Sequence, residues 1–201
     1  DQPSSIGIND VNGGDCFDLI VTSLEEDTLR IYYGNGDGTF ELETMYTVGD
    51  QAGPMSLAVG DFNGDRQQDV VVANYAASNI GVFPGYCCEP FLSQRTISTG
   101  SKSTPQSVVV GDFNQDNKTD LVVANSKSFT VGIFFGRGDG TFGNQTTFPT
   151  GNGSAPVSLA IGDLDNDGWS DILVANYRGG TIGIFHGRGN GTFAEMIAYQ
   201  I

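Results

Sequence analysis

The sequence predicts an all-β chain built from four copies of one four-stranded antiparallel unit, and three observations predict it. A block typified by "GDFNQDNKTD" recurs with a constant step of 51 residues, beginning at Asn9, Gly60, Gly111 and Gly162. A second block keeps the same step, from "IYYGNGDGTF" at Ile31 through "VFPGYCCEPF" at Val82 and "IFFGRGDGTF" at Ile133 to "IFHGRGNGTF" at Ile184, and Pro3, Pro54, Pro105 and Pro156 fall in register with it. Glycine is 29 of 201 residues and hydrophobic residues are 38%, a composition that favours frequent turns over long helices. A repeat of this length carrying four short strands is the signature of a β-propeller blade.

The elements follow in order within each unit. "SLAVGD" reads as a first strand, and "DVVVAN" or "DILVAN" as a second, an unbroken apolar and β-branched run suited to cover on both faces. "NIGVFPG" or "TVGIFFG" reads as a third strand. The Asp-Gly and Asn-Gly pairs that follow are tight-hairpin signals, because both turn positions of such a hairpin take positive φ, and they lead into a fourth strand such as "TFGNQTTFPTG". The blades run over 1–51, 52–102, 103–153 and 154–201 and make a single domain. A β-solenoid is disfavoured, since its strands are parallel and these turns demand antiparallel ones. Two arrangements satisfy four blades, a closed four-bladed ring and an excerpt of a longer repeat array; the closed ring is preferred. Uncapped repeats also invite self-association into a filament.

Charge narrows the partners. With 24 acidic against 9 basic residues the net charge is −15, which repels phosphate backbones and anionic lipid, so nucleic acid is excluded as a partner. No apolar run reaches membrane-spanning length, and no signal peptide is visible, so no membrane insertion is expected and the chain reads as soluble. Cys16, Cys87 and Cys88 form an odd set: a vicinal bridge, a bridge from either to Cys16, and three free thiols are all compatible with it.

The recurring block spaces oxygen donors as a metal loop does. Side chains at loop positions 1, 3, 5 and 9, with the peptide carbonyl at position 7, supply Asp61, Asn63, Asp65, Gln67 and Asp69 in the second copy. The third copy supplies Asp112, Asn114, Asp116, Lys118 and Asp120, and the fourth Asp163, Asp165, Asp167, Trp169 and Asp171. Six to eight oxygens around a hard cation suit Ca²⁺ better than Mg²⁺, which demands stricter octahedral geometry. An EF-hand would need Glu at position 12 and flanking helices, and position 12 of the fourth loop is Val174 inside a strand run. Asp and Asn also cap ordinary turns; four recurrences with an Asp at position 9 favour metal. The first copy keeps Asp10, Asn12 and Asp18 but has Gly14 at position 5, so three calcium sites and a weaker fourth are expected. Without a cation the clustered carboxylates repel one another by several kcal/mol at about 4 Å in protein-like surroundings.

A D-x-[DN]-x-D-x-x-x-D loop followed by an "FFGRGDGTF" hairpin resembles the FG-GAP/VCBS repeats that build integrin α-chain propellers and many surface proteins, and the resemblance spans the chain. It implies a calcium-binding propeller whose metal loops join the first two strands of a blade on one face, with partner contacts on the opposite face. Two features depart from it. The second copy reads "GYCCEPF" at the glycine-rich turn, and integrin propellers have seven blades where four are seen here.

The remaining motifs are weaker. "RGD" at Arg137–Asp139 occupies the turn where other copies read "NGD" and "RGN", so turn chemistry accounts for it. Asn117, Asn144, Asn152 and Asn190 head glycosylation sequons, Asn190 being the least accessible by its place in a turn. His186 is the sole histidine and reads as a strand residue; no nucleophile–base pairing or nucleotide loop is present, so the chain is not expected to be an enzyme. Between the second and third strands the copies diverge, and Tyr75, Phe129, Tyr177 and Arg178 would project from one rim, as suits protein or carbohydrate recognition. Together these features predict an extracellular, calcium-stabilised propeller serving adhesion, protein interaction or assembly. A carbohydrate-binding module and the accessory propeller of a larger enzyme are the alternatives.

Overall fold

The computed structural model describes residues 2–86 and 89–201, with backbone alone for Glu43, Glu89 and Pro90. The first blade holds β1 (Pro3–Asn9), β2 (Asp18–Ser23), β3 (Thr28–Gly34) and β4 (Phe40–Thr47). The second holds β5 (Pro54–Gly60), β6 (Asp69–Asn74), β7 (Asn79–Phe83), the short pair β8 (Gly85–Tyr86) and β9 (Glu89–Phe91), and β10 (Arg95–Ser98). The third holds β11 (Pro105–Gly111), β12 (Asp120–Asn125), β13 (Thr130–Phe134) and β14 (Thr146–Pro149), and the fourth β15 (Pro156–Gly162), β16 (Asp171–Asn176), β17 (Thr181–Phe185) and β18 (Ile197–Gln200). Each repeat forms one four-stranded antiparallel sheet with its strands in chain order, apart from the β8–β9 pair. Among the described residues no helix is long and apolar enough to cross a membrane.

The second strand is the most completely covered element of the two inner blades. Every residue of β6 and β12 is buried, as the unbroken apolar run predicted. Alternate residues of these strands face opposite neighbours: Val70 and Val72 pack toward the first blade with Ile20, Leu29 and Ile31, while Val71 and Ala73 pack toward the third with Leu121, Val123 and Phe134. Period-two alternation thus feeds two inter-blade cores from one strand. The first strands of successive blades lie side by side, β1 beside β5, β5 beside β11 and β11 beside β15. A serine repeats at each of these seams, the Leu57, Val108 and Leu159 amides donating to Ser5, Ser56 and Ser107 Oγ at 3.2 Å each.

The four blades do not close into a ring. β15 makes no contact with β1 comparable to those at the three seams, and the blade sheets stand as an open arc. Ile6 and Ile8 on β1 are 60% and 61% exposed, where the Leu57, Val108 and Leu159 equivalents of Ile6 are at most 9% exposed. The reading as a closed four-bladed ring is therefore corrected to an open arc.

The turn after the third strand also differs from expectation. Positive φ falls on Gly138 and Gly140, with Asp139 between them outside that region, so a two-residue hairpin does not form. Instead the Arg137 amide donates to the Thr141 carbonyl at 2.9 Å and Gly136 bridges Phe142, giving a longer loop. Asp139 Oδ1 accepts from the Thr141 amide (2.9 Å) and hydroxyl (2.6 Å), bonds that a hairpin position could not supply and that hold the Asp139 carboxyl below its usual range. The fourth strands of the last two blades begin accordingly late, at Thr146 and Ile197. Cys16 is a free thiol among the described residues, and Cys87 and Cys88 lie outside them.

One glycine per blade is enforced by the backbone. A Cβ on Gly34, Gly85, Gly136 or Gly187 would meet the carbonyl oxygen of Phe17, Gln68, Thr119 or Ser170 at 2.2–2.4 Å. Since the obstacle is main chain, no rotamer relieves it. Gly136→Ala is expected to lower stability by about 2 kcal/mol or more, measured by urea unfolding; an unchanged midpoint would show that the blade yields there.

Candidate functional site

Each candidate metal loop joins the first two strands of its blade. Its shape comes from two left-handed residues, at loop positions 4 and 6: Gly13 and Asp15, Gly64 and Arg66, Gln115 and Asn117, Asn166 and Gly168. Glycine and Asn take this region at low cost, whereas Asp15, Arg66 and Gln115 are held there by the surrounding bonds. The position 1 aspartate supplies those bonds. Asp61 Oδ1 accepts from the Gly64 amide (2.7 Å) and Oδ2 from Arg66 (2.9 Å); Asp112 Oδ2 accepts from Asn117 (2.8 Å) and Asp163 Oδ2 from Gly168 (3.0 Å). Position 3 Asn63 and Asn114 accept from the amides of Asp65 and Asp116, and these in turn accept from Gln67 and Lys118. The loop is thus a chain of Asx turns that gathers side chains 1, 3 and 5.

Position 9 has a role that spacing did not reveal. Asp18, Asp69, Asp120 and Asp171 are all but fully buried. One oxygen of each accepts from the second residue of the loop, the amides of Val11, Phe62, Phe113 and Leu164, at 2.7–3.0 Å. The other accepts from Gly34, Gly85, Gly136 or Gly187 at 2.6–3.0 Å. This carboxylate therefore clamps the loop to the end of the third strand. Burial pushes the Asp69 and Asp120 carboxyls up from their ordinary range, with neighbouring loop aspartates adding to the rise, and the amide bonds oppose it. A raised carboxyl favours the protonated form in the folded state, so at neutral pH the charged form costs stability and a nearby divalent cation would offset that cost.

The donor set fits a hard cation. Carboxylate oxygens of Asp163, Asp165 and Asp167 lie within 4.8 Å of one another, close to twice the 2.3–2.6 Å Ca²⁺–oxygen distance. In the second and third loops an Asn amide stands at position 3, and in the third Lys118 Nζ lies 3.6 Å from Asp116 Oδ2, a cation already placed by the chain. The first loop retains Asp10, which accepts from the Gly13 (2.7 Å) and Asp15 (3.0 Å) amides, but Gly14 offers no carboxylate. His186 stands just beyond β17 and not within it: Nδ1 is 3.4 Å from Asp165 Oδ2 and 3.3 Å from Asp171 Oδ2. Its lateness in the repeat hid this proximity, since only the clamp brings the third strand's end to the loop.

The loops also sit on the seams between blades. The Gly140 amide donates to the Phe62 carbonyl and the Gly191 amide to the Phe113 carbonyl, both at 3.0 Å, joining the turn of one blade to the loop of the one before. Phe62 and Phe142 meet edge to face at 5.9 Å between ring centroids, and Phe113 and Phe193 lie 6.1 Å apart. The sequon residues Asn117, Asn144, Asn152 and Asn190 are all exposed, Asn190 with its Oδ1 engaged by Thr192.

The opposite end of the strands carries the divergent rim. Tyr75, Phe129, Tyr177 and Arg178, from three successive blades, converge on one pocket of about 240 Å³. Lys127 also lines it, so its charged lining side chains, Lys127 and Arg178, are both basic on a chain of net charge −15. Tyr177 is 77% exposed.

Four-stranded blades joined by acidic loops define a repeat propeller, and comparison with known proteins agrees on the repeat. The chain belongs to the FG-GAP-like repeat family, which matches residues 10–72, 112–174 and 163–201. It is 29% identical over 196 residues to a T-cell immunomodulatory protein homolog of Plasmodium falciparum (isolate 3D7), covering 86% of this chain and 25% of that protein. The chain thus spans about a quarter of this relative's length. Among solved structures it resembles a virginiamycin B lyase from Staphylococcus aureus (TM-score 0.70, 17% identity, 100% of this chain and 56% of the other). A putative 6-phosphogluconolactonase from Bacteroides uniformis (TM-score 0.71, 14% identity, 98% and 55%) has the same fold. So does an Agrocybe aegerita lectin that recognises non-reducing terminal N-acetylglucosamine (TM-score 0.63, 20% identity, 95% and 50%). At such identities the likeness is one of fold.

Asp120→Ala leaves two buried amides without acceptors and is expected to cost on the order of 2 to 5 kcal/mol in calcium-free buffer. Asp116→Ala, on the exposed side of the same loop, should cost less than about 1 kcal/mol there. Equal losses in chemical denaturation would contradict the clamp.

Proposed function

We propose that the chain is a non-catalytic, extracellular interaction propeller in which calcium braces the blades and the basic aromatic rim receives a protein ligand. The observation that carries this reading is the convergence of Tyr75, Phe129, Tyr177 and Arg178 on one pocket. These positions vary from copy to copy while the loops repeat, and recognition needs difference where bracing needs sameness. FG-GAP repeats generally mediate protein interaction, which supports the assignment. Flat aromatic faces beside Arg178 and Lys127 suit a ligand segment with an acidic residue next to an apolar one, held by burial and charge-assisted bonds.

The cations act at a distance from this surface. Loops and rim lie at opposite ends of the strands, so a cation in a loop would not touch the ligand but would neutralise clustered carboxylates at a seam between blades. Affinities of about 10⁻⁴ to 10⁻³ M, as in extracellular modules, would suffice outside cells. Surface or secreted localisation, with glycans on the exposed sequons and adhesion or assembly as the outcome, fits such a calcium demand. A glycan ligand is the second reading, favoured by the exposure of Tyr177, whose ring suits stacking on a sugar.

Millimolar calcium is expected to raise the melting temperature, with chelation reversing the gain. Calorimetry should show Asp116→Ala losing one cation equivalent while the other loops still bind; no uptake at millimolar calcium would overturn the bracing role. Tyr177→Ala combined with Arg178→Ala should weaken capture of an acidic aromatic peptide library tenfold or more, with the melting temperature unchanged. Unaltered peptide capture together with loss of binding on a glycan array would decide for the second reading.

A further inference from the structure

The fourth loop differs from its sisters by a nitrogen. His186, the sole histidine, stands where the other blades have Tyr33, Pro84 and Phe135, none of which offers a ligand nitrogen. The clamp puts it there. The Gly187 amide donates to Asp171 Oδ1 at 2.9 Å, so residue 186 is carried onto the loop, and the Ala194 amide donates to the His186 carbonyl at 2.8 Å. The ring nitrogen Nδ1 then lies 3.3 Å from Asp171 Oδ2 and 3.4 Å from Asp165 Oδ2. This atom is buried, and among the described residues it has no hydrogen-bond partner, neither carboxylate contact being aligned as one. A donated proton would call for the hydrogen bond that this geometry does not give. A neutral ring aims its lone pair at two anionic oxygens, a repulsive arrangement that a cation between the three atoms turns into an attractive one.

We propose that His186 Nδ1, Asp165 Oδ2 and Asp171 Oδ2 form a binding site for a divalent transition-metal ion of the zinc type, distinct in chemistry from the all-oxygen loops of the other blades. Calcium takes oxygen ligands, whereas imidazole suits zinc and its neighbours. The distances agree. Tetrahedral bonds of 2.0–2.2 Å set ligand atoms about 3.4 Å apart, and the His186 nitrogen stands 3.3 and 3.4 Å from its two oxygens. Ligand atoms of all three residues lie within 4.8 Å of one another. Each oxygen also has capacity for a metal. Asp171 Oδ2 accepts the Leu164 amide at 2.9 Å and keeps a second lone pair, while Asp165 uses Oδ1 for the Asp167 amide at 3.3 Å and turns Oδ2 to the site. Asp171 is 0% exposed and held by two amides, and His186 is fixed through the same clamp, so binding has only Asp165 to order. All three residues belong to one blade, and the site is complete without any neighbouring blade. Three protein ligands leave a fourth position for water or an incoming donor. Asp165 is shared with the carboxylate group of Asp163 and Asp167, so the fourth loop holds one ion at a time.

The test is calorimetric titration of the untagged 201-residue chain with Zn²⁺ alone, and again in millimolar Ca²⁺. One equivalent of zinc is expected in both. His186→Phe brings in the residue of the third blade and Asp165→Asn that of the second and third, so both variants carry a side chain that a sister blade already accommodates. Each should weaken zinc binding by on the order of 10- to 100-fold, with the circular dichroism spectrum unchanged. Trp169, the sole tryptophan, stands in the same loop, and Co²⁺ offered in place of zinc should quench its fluorescence in the wild type but not in His186→Phe at the same concentration. Absence of zinc uptake, or uptake indifferent to both substitutions, would overturn the site and leave His186 as an ion-pair partner of the two carboxylates. Zinc displaced by millimolar calcium would overturn the part of the nitrogen in selecting the ion. None of these readouts involves the rim pocket, and calcium uptake by the second and third loops is measured without zinc, so the readings stand or fall separately.

Discussion

Everything in a blade hangs from one buried carboxylate. Asp18, Asp69, Asp120 and Asp171 each accept one amide from the start of the loop and one from the glycine that ends the third strand's run. A buried anion is costly unless hydrogen-bonded, and here two backbone donors meet it, with no Lys or Arg ion pair to it among the described residues. The upward push on Asp69 and Asp120 records the part of the cost that remains. The clamp also explains the glycine, which must bring its backbone so close that a Cβ would strike a carbonyl oxygen. Loop, third strand and turn are thereby fixed to one another before any cation is considered.

From that clamp the loop reaches across to the neighbouring blade. Phe62 and Phe113 follow loop position 1, are driven into the inter-blade core, and offer their carbonyls to the next blade's turn amide. Carboxylates gathered on the outside of the loop therefore stand at a seam. Their mutual repulsion bears on blade stacking as well as on local turn geometry, which is why a cation held there would brace two blades at once. His186 gives the fourth loop a nitrogen facing two carboxylates where the other blades have Tyr33, Pro84 and Phe135.

Strand polarity separates the acidic loops from the divergent rim. Antiparallel order puts the first and third connections at one end of the blade and the second connection at the other. Identity is enforced at the loop end by backbone geometry that tolerates few alternatives. At the rim no such constraint applies, and three blades are free to contribute different side chains to a shared pocket. The excess of negative charge on the chain makes the basic lining of that pocket a local reversal of sign.

Linear spacing alone settled the four units and their strand order, because a 51-residue recurrence and a two-residue alternation can be read without coordinates. It also placed Tyr75, Phe129, Tyr177 and Arg178 on one rim. It did not show the role of the position 9 aspartates as clamps, nor His186 beside the fourth loop, since both depend on bringing the end of the third strand back onto the first connection. It named the Asp-Gly turn but not its length, which the Asp139–Thr141 bonds set against a tight hairpin. Whether four blades close was decided only in three dimensions. Closure depends on the angle between packed sheets, and that angle comes from how Phe62, Val71 and Leu121 fill a seam, not from how many seams the chain encodes.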